Sequence, residues 1–381
     1  MKHGRGGHYH SLNHISRKLG EQHEVQIVSV GPAKGGVLEE NPFFYKHIDF
    51  NGLSFFNLRK EIKEISKSFN PDIFHCFDPP IYNVLRTVIS SRKKKIVLNQ
   101  CGGPNPIEFS HVKNLILFSL ENQNWFKGQN KFKETNIYLI PNRVSAIRLE
   151  KGFVEYQKKE GVFNFVRICR ILKAYQKSVE DSIRLIDKLK QNGINNVRLY
   201  VIGTVEEKEM LSDLKNKSLP LGDSVVFITE DIYTKEASKM LYLADAVIGV
   251  GRSTMEAASL GIPLLAINST GNFPVMLDDD NIMDAFRTNF SQRNIFPNYD
   301  QDENFGKIIH LINVPAYSEK QRALSKEFFA KYFDIEKVLD AYTNVYEQAM
   351  FSKRYLISDM VIIAKMFRRY YVYSKRNRYK D

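Results

Sequence analysis

Ala244–Pro263 reads ADAVIGVGRSTMEAASLGIP, and its pattern decides the fold class. Ala246–Val250 is a short apolar, β-branched run of the kind that fills a buried parallel strand. Gly251-Arg252-Ser253 breaks the run, and Thr254–Leu260 resumes it with helix formers. Gly261-Ile262-Pro263 stops that helix, and Leu264–Ile267 begins the next strand. Open α/β sheets take ligands at the carboxyl ends of such strands, where this unit carries its small residues. Ser253 and Thr254 set hydroxyls and backbone N–H groups at a helix N-terminus, which suits phosphate, and Glu256 adds a carboxylate in the same turn. The four residues Ser253-Thr254-Met255-Glu256 also spell a capping box, with the serine as cap and the glutamate reaching back to it. These residues alone leave both readings open.

Working outward, the same alternation fills most of the chain. Ahead of the stretch come strands Phe163–Cys169, Arg198–Ile202 and Val225–Ile228, with helices Ser178–Asn192, Glu206–Lys217 and Thr234–Leu243. Further upstream lie strands Glu24–Val30, Ile73–Phe77, Lys95–Gln100, Leu115–Ser119 and Ile137–Ile140, with helices Ser11–Leu19, Glu61–Phe69 and Ile81–Ser90. Strands alternating with helices predict parallel, doubly wound sheets. Residues Pro141 to about Gly161 lack periodicity, so the junction is placed there: a first Rossmann-like domain over 1–150, a second over 151–350 and a tail over 351–381. The chain opens on the glycine loop MKHGRGGHYHS, yet such a loop normally follows a strand. The first domain is therefore expected to lack its central first strand, the natural chain starting upstream.

Composition narrows the class. The net charge of +12 points to an anionic partner. Cys76, Cys101 and Cys169 are scattered, so neither a zinc site nor a disulfide framework is indicated, and a reducing cytoplasm fits. No apolar run approaches a signal h-region or a membrane span. The expectation is a cytoplasmic protein that is peripheral to the inner face of the cell membrane. From Lys353 to Asp381, nine cations face two carboxylates, interleaved with Leu356, Ile357, Val361, Ile362, Ile363, Met366 and Phe367, then Tyr370, Tyr371 and Tyr373. This composition fits a basic amphipathic helix on an anionic membrane surface. The alternative is a solvated helix packed on the protein body. No nucleic-acid motif accompanies the charge.

Three regions carry candidate chemistry. Gly4, Gly6 and Gly7 let backbone approach a ligand closely. Arg170 follows the first strand of the second domain and Lys177 opens its first helix; two cations so placed can neutralise a diphosphate without a metal. An ordinary basic loop has the same composition. The third region is Gly251, Ser253, Thr254 and Glu256. Asp278-Asp279-Asp280 reads as a solvated acidic loop, and no metal is expected.

Taken together, GRGGHYHSL, NPDIFHCFDP, LIPNRVS, RICRILKAYQKS and GRSTMEAASLGIP resemble, in order, the motifs of a family 4 glycosyltransferase of the retaining GT-B type that builds capsular, exopolysaccharide and lipopolysaccharide sugars. The resemblance covers about residues 4 to 350. It implies a GT-B architecture, two Rossmann-like domains facing each other across a cleft, with the first holding the acceptor and the second the nucleotide-sugar. It implies that Arg170 and Lys177 grip the donor diphosphate and serve as the catalytic cations, that Gly6 and Gly7 close over the same phosphates, and that Glu256 accepts from the ribose hydroxyls. Transfer would proceed with retention and without cofactor, to a cell-surface glycan or lipid-linked acceptor. The chain departs from the pattern at Ile248, where the family carries a second glutamate, at Ser178 in place of a glycine, and at Cys169 in place of another. Those departures keep two rivals in view: a non-catalytic nucleotide-sugar-binding subunit of a glycan assembly complex, and a sugar-nucleotide epimerase on the same fold.

Overall fold

The computed structural model describes residues 7–32, 34–90, 92–149, 153, 155–352 and 356–378. The chain forms two compact units, one of Met1–Arg143 with Ile335–Asp381, the other of Val144–Asp334.

In chain order the first unit contains α1 (Gly7–Leu19), β1 (Ile27–Gly31), α2 (Gly36–Glu39), β2 (Phe44–Asp49), α3 (Phe55–Phe69), β3 (Ile73–Cys76), α4 (Pro79–Val88), β4 (Lys95–Gln100), β5 (Asn114–Leu117), α5 (Leu120–Gly128) and β6 (Asn136–Leu139). Polar caps start α4 and α5 where the sequence breaks the apolar runs. Asp78 accepts from the Ile81 N–H at 2.9 Å ahead of the prolines opening α4, and Ser119 accepts from the Asn122 N–H at the start of α5. The strands form two parallel sheets, β1–β2 and β3–β4–β5–β6. β2 escaped the sequence reading because Ile48 is its one fully buried side chain, which leaves no apolar run to see.

The second unit contains β7 (Phe163–Ile168), α6 (Gln176–Gln191), β8 (Val197–Ile202), α7 (Lys208–Ser218), β9 (Val225–Ile228), α8 (Asp231–Thr234), β10 (Ala246–Gly249), α9 (Arg252–Ser259), β11 (Leu264–Ala266), β12 (Val275–Met276), α10 (Ile282–Arg287), α11 (Gln301–Asn313) and α12 (Pro315–Phe328). Its sheet order is β12–β11–β10–β7–β8–β9, parallel except for β12. Val179, Ile183, Ile186 and Leu189 of α6 pack on Phe165, Leu199, Val201 and Ile248 to make the core. The helix expected over Thr234–Leu243 is instead α8 followed by a 3-10 segment, Ala237–Leu243, whose Met240 and Leu243 share a face at the three-residue spacing of that helix.

The second unit ends sixteen residues before the boundary expected at 350, at Asp334. Thereafter α13 (Leu339–Gln348) and α14 (Leu356–Arg378) belong to the first unit. Val338, Leu339, Tyr342 and Val345 are buried with Ile15, Val97, Ile116 and Phe118, and the Tyr342 hydroxyl donates to Asn99 Oδ1 at 2.8 Å.

Nor is 351–381 a separate tail. Ile363 and Met366 join the first unit's core, and Asp359 is buried against Arg86 Nη1 (2.8 Å), the His111 N–H (2.9 Å) and His111 Nδ1 (3.0 Å). The opposite face is apolar and open, with Ile357 88%, Met360 62% and Val361 65% exposed. Among the described residues, no helix is long and apolar enough to cross a membrane.

Candidate functional site

β7, β8 and β9 are laid down in one direction across the sheet, and β10 then crosses back to pair with the free side of β7. The β7/β10 pair is thus the topological switch point of the second unit, and the loops leaving its carboxyl ends diverge around a crevice. Arg170 and Lys177 follow β7, while Gly251, Ser253, Thr254 and Glu256 follow β10, so the fold gathers all six at one edge of the sheet.

The β10–α9 turn needs its glycines. A Cβ on Gly249 would sit 2.2 Å from Thr254 Oγ1, so the glycine lets α9 lie close against the strand. Gly251 has φ +58°, a conformation that glycine adopts without strain, and its N–H donates to Phe290 O at 2.8 Å. Gly251 is also the N-cap, with no side-chain cap bond.

The capping box is therefore not formed. Ser253 turns back on Val250, accepting from its N–H and donating to its carbonyl, both at 3.2 Å. Thr254 is fully buried with its hydroxyl against Gly249. Neither hydroxyl is held out toward the crevice. Glu256 makes no cap contact either; its Oε1 accepts from Arg252 Nε at 2.8 Å. Burial pushes the Glu256 carboxyl up from the usual range, and the Arg252 guanidinium opposes that shift.

Arg170 is half-exposed, paired with Glu206 Oε1 at 3.0 Å and lying over the Tyr175 ring at 5.8 Å. Lys177 is held more tightly. Its Nζ donates to Asp181 Oδ2 (2.7 Å), Gly271 O (2.5 Å) and Asn268 O (3.3 Å), tying α6 to the loop after β11. Asp181 is buried and also meets Arg184; burial raises its carboxyl pKa against the pull of both cations. In the first unit, Gly7 opens α1, while Gly6 lies outside the described residues.

The sequence reading missed Arg167. This fully buried cation donates from Nη1 to Ile248 O at 3.2 Å and from Nη2 to Ser178 Oγ at 3.0 Å, stitching together β7, β10 and α6. Ser178, which stands where the family has glycine, is thus the acceptor for a charge on the central strand. An arginine inside the otherwise apolar run FVRIC was the available signal. Ile248 is in the core beneath the crevice, so a carboxylate at that position would be buried in β10.

The acidic triplet departs from expectation at Asp278, while Asp279 and Asp280 are exposed. Asp278 is buried and paired with Lys307 at 2.8 Å, and Asp279 with Lys320 at 2.8 Å. Among the described residues, no cluster of three or more His, Cys, Asp or Glu side chains is placed to hold a metal.

Residues 154–328 match the model of the family described as glycosyl transferases group 1. No curated protein sequence matches the chain. Among solved structures, the chain is similar to the trehalose-6-phosphate synthase OtsA, with a TM-score of 0.58, 10% identity, and 91% of this chain and 95% of that one covered. It is also similar to S. aureus MnaA in its UDP co-structure, with a TM-score of 0.51, 11% identity, and 91% and 95% covered. With the pneumococcal O-GlcNAc transferase GtfA, the TM-score is 0.49 at 15% identity over 75% of this chain, which spans 59% of GtfA's length. The fold is that of the GT-B structures.

Proposed function

We propose that this chain, which carries a glycosyl transferases group 1 domain on a GT-B fold, moves a sugar from a nucleotide-sugar donor to an acceptor hydroxyl. The observation that carries the reading is the convergence of Arg170, Lys177 and the Glu256-bearing turn at the β7/β10 switch point. Arg170 and Lys177 meet the donor diphosphate as fixed cations, and they stabilise the charge that grows on it as the glycosidic bond breaks. Their partners Glu206 and Asp181 hold both side chains in place beforehand, so little reorganisation is needed. Glu256, paired with Arg252, accepts from the ribose diol. The reaction proceeds without a divalent metal and with retention, and the acceptor is a cell-surface glycan precursor of the capsule or lipopolysaccharide kind, or a lipid-linked one.

The test is calorimetric titration with nucleoside diphosphates in EDTA, beginning with UDP because MnaA is described with UDP, followed by turnover with a panel of nucleotide-sugars. One diphosphate is expected to bind, and Arg170→Ala and Lys177→Ala to weaken it at least tenfold each. Wild-type binding by both variants would remove the diphosphate site. Binding without transfer would leave the chain a donor-binding subunit, and conversion of the donor sugar without an acceptor would make it an epimerase.

The exposed face of α14 supports a membrane-surface location for this activity. Ile357, Met360 and Val361 stand at i, i+3 and i+4, followed along the helix by exposed Arg368, Arg369 and Lys375. An apolar patch beside cations complements an anionic lipid surface, where each cation contributes roughly 1 kcal/mol. This face docks the protein on the inner leaflet. Replacing Ile357, Met360 and Val361 together by serine should abolish sedimentation with vesicles rich in phosphatidylserine while leaving the fold intact. Undiminished sedimentation would exclude this surface.

A further inference from the structure

The cations at the β7/β10 switch point are committed to different degrees. Lys177 is fully engaged, because Asp181 Oδ2, Gly271 O and Asn268 O are three acceptors for the three hydrogens of its ammonium. Arg170 is divided between Glu206 and the Tyr175 ring. Arg252, the first residue of α9, is held at one edge. Its Nε meets Glu256 Oε1 at 2.8 Å, while its buried Nη1 has no hydrogen-bond partner among the described residues. The side chain remains 32% exposed, so a ligand can reach the guanidinium.

Arg252 is positioned from outside its own helix. α10 ends in a tight turn, in which the Asn289 N–H donates to Phe286 O (2.9 Å) and the Phe290 N–H to Ala285 O (2.8 Å). Asn289 and Phe290 both have positive φ, 59° and 53°. Asparagine takes that conformation readily, but for a bulky residue it is unfavourable. Burial compensates: Phe290 has no exposed surface, and its ring meets those of Phe328 and Phe333 at 5.9 and 5.4 Å. So held, Phe290 offers its carbonyl to the Gly251 N–H, directly ahead of Arg252. The same segment reaches the loop after β7 through Gln292 Nε2 and Ala174 O (3.0 Å), and the loop after β11 through the Ser269 N–H and Asn294 O (2.9 Å). One strap therefore fixes the start of α9 against the loop that carries Arg170 and the loop that engages Lys177.

We propose that Arg252 is a further cation on the donor diphosphate, gripping phosphoryl oxygens through its open edge while its Nε stays on Glu256. This inference rests on the donor site proposed above. Arg252 precedes Glu256 by one helical turn, about 5.4 Å, so a nucleoside whose ribose diol meets Glu256 brings its phosphates alongside the guanidinium. A guanidinium carries donors and no acceptor, which matches phosphoryl oxygens in a forked, charge-assisted pair. A sugar hydroxyl would also need an acceptor for its own proton, so the diphosphate is the better match. When the glycosidic bond breaks, its electron pair passes to the diphosphate oxygen. A guanidinium fixed there beforehand stabilises that charge without rearranging.

The experiment is a double-mutant cycle on the full chain, read by calorimetric titration of UDP in EDTA, or of the other nucleoside diphosphate that the wild type prefers. Arg252→Gln should weaken binding at least tenfold. Part of that loss passes through Glu256, which is left without its partner, so the change is repeated in Glu256→Gln. There it should still weaken binding at least fivefold, because the phosphate contact is independent of the carboxylate. The affinity of Arg252→Gln should also fall less steeply with added salt than that of the wild type. Arg252→Lys keeps a cation beside Glu256 and guards against misfolding of the first variant; lacking the fork, it should weaken binding at least threefold. Wild-type affinity in Arg252→Gln or Arg252→Lys would overturn the proposal. So would a loss that vanishes in the Glu256→Gln background, which would leave Arg252 acting through Glu256 alone. A wild type that binds no nucleoside diphosphate would instead overturn the donor-site reading itself.

Discussion

Glu256 combines burial, a cationic partner in Arg252 and a place one turn into α9. A capping role predicts that glutamine, which can also cap, is harmless everywhere; a ribose-binding role predicts a selective loss. With the cap contact absent from the structure, Glu256→Gln should lower nucleoside diphosphate affinity by about one to two orders of magnitude, the worth of a charged hydrogen bond of roughly 1.5–3 kcal/mol. The ligand-free protein should lose no stability near neutral pH. The sign follows from the raised carboxyl pKa: that stability contribution is fully present below the ordinary glutamate value and is lost as pH rises through the folded-state value. Glutamine carries no such charge, so the variant's melting temperature should fall less than the wild type's across that window. Thermal melts at a series of pH values, beside calorimetry, check both halves.

At the scale of the element, α14 is fastened by a buried charge as well as by the apolar contacts of Ile363 and Met366. Asp359 has no exposed surface and faces Arg86 and His111, with Lys131 Nζ at 3.7 Å. Asp359→Asn should strand the buried Arg86 guanidinium and cost about 3–5 kcal/mol, because one half of a buried ion pair is left uncompensated. Urea unfolding would measure the loss, and faster proteolysis ahead of α14 would show the helix released. Removing everything after Met350 is accordingly a poor test of membrane binding, since it also strips Ile363 and Met366 from the core. Substitutions on the Ile357 face avoid that damage. The structure packs one face of this basic helix on the protein body and leaves the other open, and the side-chain contacts alone distinguish the faces.

At the scale of the whole molecule, the two units divide the chain unevenly. Val144–Asp334 is continuous and owns its sheet and core. Expressed alone, it should unfold cooperatively and bind the same nucleoside diphosphate as the full chain within about threefold; calorimetry on the fragment checks this. Residues 1–143 should not fold alone, because Tyr342, Val338 and Val345 fill their core from after the second unit and would leave Ile116 and Phe118 uncovered. Joining 335–381 to residue 143 by a short linker should restore a cooperative melt. A cooperative transition for 1–143 by itself would contradict that account of the core.

The sequence by itself determined the alternation of strands and helices. β-branched runs such as VVFI and LYVI and the glycine-broken segment after β10 are local signals, and local periodicity is what a buried parallel strand imposes on its own residues. It also marked the strand ends that Arg170, Lys177 and Glu256 follow, because the breaks after β7 and β10 are written in the local sequence. What the side chains do there was decided by tertiary structure. Gly251 rather than Ser253 became the cap because the turn needs a positive φ, and Lys177 found Asp181 beside it but Asn268 and Gly271 from a loop ninety residues away. Sheet order, the burial of Arg167 and the return of the chain after Asp334 were likewise beyond reach. Each depends on residues distant in sequence meeting in space, and a one-dimensional pattern carries the propensity of each partner but not the pairing.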